Sequence, residues 1–100
     1  PAGGGAGVPG ATGPDVAAVA DILGEAEQEL AAADALLHSD RQRAQVRYEQ
    51  AIDAYQRALS VAQDRGVDEI GVTVDGYWFE SVADIRSRIA DANDGLDATW

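Results

Sequence analysis

The sequence predicts an α+β fold, mainly α: an antiparallel helical hairpin followed by a two-stranded β-hairpin and a third helix. Three observations lead there. Residues 70–80, Ile-Gly-Val-Thr-Val-Asp-Gly-Tyr-Trp-Phe-Glu, are the one segment whose side chains alternate with a period of two, and Asp75-Gly76 at their centre suits a type I′ turn. Upstream, small and apolar residues recur in steps of three and four, from Val16 to Leu37 and again from Ala44 to Ala62. Downstream, Val82, Ile85, Ile89, Ala92 and Leu96 repeat a helical spacing. With 100 residues the chain has room for one domain and a modest core. The expected division is an arm over 1–14, a helical domain over 15–96 with its β-hairpin at 70–80, and a tail over 97–100.

Residues 1–14 hold six of the eleven glycines and all three prolines, the composition of a flexible arm. Gly7, Gly10 and Gly13 fall every third residue, but three triplets are too few for a collagen helix. The chain begins at Pro1 and contains no methionine, as expected of a protein processed after its initiator or cut from a longer one.

The first helix is expected to start at Pro14 or Asp15, since proline fits the first turn and a carboxylate suits the positive helix end. Val16, Val19, Leu23, Ala26, Leu30, Ala33 and Leu37 make a narrow seam, widened by Ile22 and Leu36, so the helix should pack lengthwise on another. Its outer face is negative, because seven acids and no base lie between Asp15 and Asp40. His38-Ser39-Asp40 should break the helix, with Ser39 and Gln42 as a capping box for the next one.

That second helix is expected to bury Ala44, Tyr48, Ala51, Tyr55, Ala58 and Ala62, flanked by Ile52 and Leu59, and to stop at Arg65-Gly66-Val67 with glycine left-handed. Five arginines against three acids between Arg41 and Gly66 make it net positive, complementary to the first helix.

A two-residue turn sets Val74 opposite Tyr77 and Val72 opposite Phe79, so Ile70, Val72, Val74, Tyr77 and Phe79 share an apolar face. Val72 and Phe79 should be buried together beneath the third helix. Gly71, Thr73, Trp78 and Glu80 take the other face. Trp78 therefore either forms part of an interface or is covered by the first helix; tryptophan favours the energetic centres of interfaces. Ser81 should cap the third helix with Asp84 in its first turn, and Gly95 should end it, leaving Trp100 in the tail.

The chain has 18 acidic residues against seven basic ones, a net charge of −11. Such a surface repels nucleic acid and anionic lipid, so neither DNA nor membrane is an expected partner. No apolar run approaches the roughly 20 residues that span a bilayer. Without cysteine there are no thiolate nucleophiles or thiolate metal sites. The single histidine, His38, sits beside Ser39, but sequence neighbours on a turn do not make a triad, and no glycine-rich elbow accompanies them. Asp91-Ala-Asn-Asp-Gly95 has the wrong spacing for a calcium loop and no acid at its twelfth position. No catalytic residue, metal or cofactor is expected. Thr73, Trp78, Glu80 and Trp100 are the candidate partner-binding residues.

Two resemblances follow from particular stretches. Tyr48-Glu-Gln-Ala-Ile-Asp-Ala-Tyr-Gln-Arg-Ala-Leu59 resembles the second helix of a tetratricopeptide repeat and the middle helix of MIT three-helix adaptors, implying a small module that binds a peptide or partner helix. The helix, then Val72-Thr-Val-Asp-Gly-Tyr-Trp-Phe-Glu-Ser81, then Val82-Ala-Asp-Ile-Arg-Ser-Arg-Ile-Ala-Asp-Ala92, resembles the gpW-like head–tail joining family of tailed phages over roughly residues 48–96. The chain departs from that family by its helix over 15–37, its glycine-rich arm and its acidity. The resemblance implies a non-enzymatic virion subunit, assembled in the host cytoplasm, whose partners are a portal-like ring, the next tail component and neighbouring copies of itself. An acidic ring wall would let DNA pass without sticking.

Overall fold

A computed structural model describes residues 13–100; the arm expected over 1–14 lies, as far as residue 12, outside the described residues. The elements are α1 (Pro14–Leu36), α2 (Arg41–Asp64), β1 (Glu69–Val74), β2 (Tyr77–Ser81) and α3 (Val82–Asp97). This is the predicted order of helical hairpin, β-hairpin and helix.

Helix α1 starts at Pro14 with Asp15 in its first turn, and it buries Val16, Val19, Leu23, Ala26, Leu30 and Ala33. Leu37, expected to continue the seam, follows the helix and is only half-buried. The break falls where expected, but Asp40 caps α2 in place of Ser39: its Oδ1 accepts from the Arg43 N–H at 3.2 Å. Ser39 belongs to the turn that closes α1. Its N–H and that of Asp40 both donate to the Leu36 carbonyl, at 3.1 and 2.8 Å, so the extended residue one step later takes the cap.

Helix α2 buries the six expected residues and Ala54 besides. It ends in a Schellman motif: Gly66 at φ +69 donates to Gln63, Val67 donates to Ala62 at 2.7 Å, and Val67 folds back into the core. The two helices pack antiparallel, and their predicted complementary charge takes the form of three ion pairs, Arg47 with Glu29 at 2.5 Å, Arg57 with Glu25 at 3.7 Å and, just past α2, Arg65 with Asp15 at 3.1 Å.

In the β-hairpin, Asp75 and Gly76 both have positive φ, 49 and 85°, and the register pairs Val74 with Tyr77, Thr73 with Trp78 and Val72 with Phe79. Beyond Val72 the strict alternation fails. Gly71 at φ +67 forms a bulge, so that Glu69 pairs with Ser81 and two residues of β1 stand against Glu80. Ile70 and Phe79 are fully buried, whereas Val72 is half-buried and does not share the enclosure expected for it.

A complete capping box starts α3: Ser81 Oγ accepts from the Ala83 N–H at 3.3 Å, and Asp84 accepts from the Ser81 N–H at 3.2 Å. The helix does not stop at Gly95 but runs to Asp97, and the chain turns only where the Thr99 hydroxyl donates to the Leu96 carbonyl at 2.6 Å. Nor does α3 pack chiefly on the β-hairpin. Its main neighbour is α2, and the β-hairpin is held between α1, which meets β1, and α3, which meets β2.

Candidate interaction surface

Alternation along β2 places Tyr77 and Phe79 towards the helices and leaves Trp78 outside. The Tyr77 and Phe79 rings pack with centroids 4.7 Å apart, and the Arg88 guanidinium of α3 lies 4.2 Å over the Tyr77 ring. Trp78 is 54% exposed, so α1 does not cover it, and its cross-strand partner Thr73 and its neighbour Glu80 are exposed as well. These three predicted residues form one patch across the two strands. Trp100, though 77% exposed, does not join them. Val74 at the β-hairpin tip lies near Gly24, while Gly95 near the end of α3 packs on Tyr48, which bonds Asp34; positions 24 and 34 are about 15 Å apart along α1.

Beneath the patch lies a polar cluster that the hydrophobic pattern did not reveal. Glu27 on α1 is buried and accepts two hydrogen bonds from Arg88, from Nε at 2.9 Å and Nη2 at 2.6 Å, and a third from the Tyr55 hydroxyl of α2. Arg88 also bonds Asp91 at 3.1 Å. One turn-pair further along, the Tyr48 hydroxyl donates to Asp34 at 2.5 Å. A signal for this was present: Glu27 and Asp34 are seven residues apart, as are Tyr48 and Tyr55, so antiparallel packing pairs them crosswise. Every buried side-chain polar atom among the described residues has a partner, and Glu27 is engaged on both oxygens, so the cluster is not open to a ligand.

Burial, reinforced by Asp34, pushes the Tyr48 hydroxyl up to about 12, and burial with Glu27 raises Tyr55 further. Glu27 likewise holds the Arg88 guanidinium more firmly protonated. A folded-state pKa raised above the unfolded value of about 10 contributes stability that is full below pH 10 and is lost as pH rises through the folded value. Stability is therefore expected to hold up to about pH 10 and to fall between 10 and 12. Alkaline ultraviolet titration should show Tyr48 and Tyr55 ionising together with loss of helix; tyrosinate appearing for all three tyrosines in the folded chain would contradict this.

Two grooves flank α2 on its other side. One, of about 470 Å³, runs between α1 and α2 and is lined by Glu25, Glu29, Glu49, Asp53, Arg57 and Val46 among others. The second, of about 410 Å³, lies along the start of α2 between Gln42, Arg43, Val46, Arg47 and Gln50. His38 is an exposed turn residue. Among the described residues no group of three or more acids and histidines is placed to hold a metal, and no helix is long and apolar enough to cross a membrane. No protein-family model, curated protein or solved structure matches the chain.

Proposed function

We propose that the chain is a non-enzymatic structural subunit of the phage head–tail junction, docking on a portal-like ring and seating the next tail component. The observation that carries this reading is the exposed Trp78–Thr73 pair on an Asp-Gly β-hairpin whose Tyr77 ring, one residue away, packs under Arg88 of α3. A large aromatic with few rotatable bonds, presented on a paired strand, has little conformational freedom to lose on binding, which suits an assembly contact. Two further features support it: the order of helix, β-hairpin and capped helix matches the resemblance, and the acidic surface suits a wall past which DNA moves. Its place in this reading is the virion, after assembly in the host cytoplasm.

Trp78→Ala is expected to leave the monomer folded, with a loss below about 1 kcal/mol because the side chain is half exposed, yet to abolish binding to a portal ring. Thermal unfolding beside co-sedimentation with candidate portal rings makes the comparison. A folded variant that still sediments with the ring would remove Trp78 from the contact, and an unfolded one would place it in the core. The groove between α1 and α2 favours one other reading, a helical adaptor that binds a peptide there as a monomer. Peptide binding blocked by Val46→Glu and untouched by Trp78→Ala would select that reading.

A further inference from the structure

Resting on the proposed assembly role, we infer that the Trp78 patch of one copy docks on the Arg43–Val46 groove at the start of α2 of the next, forming a heterologous head-to-tail contact. Among the described residues the exposed large hydrophobics are Val46, Trp78 and Trp100. Val46 has the acidic groove of Glu49 and Asp53 on one flank, but the second groove, on its other flank, is lined by Arg43 and Arg47 and by no acid. Around Trp78 the β-hairpin exposes Glu69, Asp75 and Glu80, none of them in an ion pair among the described residues. Beside Val46, Arg43 lies three residues earlier and exposed, and neither it nor the exposed Arg41 is in an ion pair among the described residues.

These arginines are placed against local physics. The first turn of α2 contains no acid, so the Asp40 cap alone offsets Arg41 and Arg43 at the positive end of a helix dipole, which disfavours cations. Neither is in an ion pair among the described residues, and an acidic β-hairpin from a second copy would neutralise them. The groove of about 410 Å³ with Val46 in its lining offers an indole an apolar wall, and an arginine beside it can stack on the ring. Donor and acceptor lie on different elements, so each copy offers both and the contact can repeat around a ring. One tryptophan buries only about 150–250 Å², well below the roughly 800 Å² per partner of a stable complex, so free copies associate weakly until a template gathers them.

The cysteine-free chain permits a direct test. Thr73→Cys and Gln50→Cys are exposed positions beside the donor and acceptor. Mixed at high concentration and low ionic strength under mild oxidation, the two variants are expected to give the heterodisulfide as the main product, with little homodimer from either alone. Adding Arg43→Glu to the Gln50→Cys chain should lower that yield roughly two- to fivefold, and adding Glu80→Arg to its partner should restore it. Heterodisulfide no more abundant than the homodimers, or a yield indifferent to both charge reversals, would overturn the pairing. Co-sedimentation with portal rings separates the two ideas. A chain that binds rings through Trp78 without this cross-link keeps the assembly role and loses the head-to-tail contact, and one that cross-links without binding rings does the reverse.

Discussion

Arg88→Ala is expected to destabilise the protein by about 3–5 kcal/mol, because it leaves the buried Glu27 carboxylate with only the Tyr55 hydroxyl for company. A domain of this size has about 5–15 kcal/mol in total, so the melting temperature should fall by roughly 15 °C or more. The side chains of Glu27 and Arg88 are only 5 and 18% exposed, which keeps solvent from screening the loss. Replacing both partners, Glu27→Gln with Arg88→Met, should recover more than half of the deficit, since no charge is then left in the interior and the amide oxygen introduced at position 27 can still accept from Tyr55. Chemical unfolding of the single and double variants measures both quantities. A loss under about 1 kcal/mol for Arg88→Ala would mean that water reaches Glu27 as freely as it reaches a surface acid.

Gly95→Ala should be damaging although it puts a better helix former into a helix. A β-carbon there would overlap the Cε1 and Cζ atoms of Tyr48 and lie 2.9 Å from its Cδ1. That ring is 1% exposed and anchored through its hydroxyl to Asp34, so it has nowhere to retreat. Overpacking of this kind costs about 1–3 kcal/mol, more than the roughly 1 kcal/mol that alanine gains over glycine in helix propensity. Gly24→Ala in α1 is the internal control. There the added carbon would meet only Val74 Cγ1, at 4.0 Å, and a gain of up to about 1 kcal/mol is expected. Thermal melts of the two variants should move in opposite directions; a Gly95→Ala chain that melts no lower than the parent would show that α3 does not press on Tyr48.

Gly95 also shows where reading residues in a row stops working. Next to Asn93-Asp94 it has every local mark of a helix end, and only the approach of Tyr48, 47 residues earlier, explains a glycine inside α3. The elements themselves were legible because each rests on local physics: periodicity, an Asp-Gly turn, a Ser-x-x-Asp box, a left-handed Gly66. Errors of one residue, as at Ser39 and Asp40, arose where two good capping residues adjoin and the preceding turn decided between them. Glu27 was hidden for a different reason. An acid in a seam reads as the edge of the polar face until the arginine that neutralises it, 61 residues away, is seen to arrive. The Thr73–Trp78 patch was readable because a two-residue turn fixes the register near it, and the Gly71 bulge was not, because it lies beyond the pairs that the turn controls.

The bulge has a bearing on how this surface meets other molecules. A two-stranded sheet consists entirely of edges, each strand keeping one row of backbone donors and acceptors that no other strand occupies. Such rows invite a third strand from any passing chain, and the product is an indiscriminate aggregate. Here Gly71 twists β1 out of a flat line, while Glu69 and Glu80 put exposed negative charge beside the ladder. Strand addition is thereby opposed along the margin, and the indole remains available on the face, where only a partner shaped to receive it gains anything by approaching.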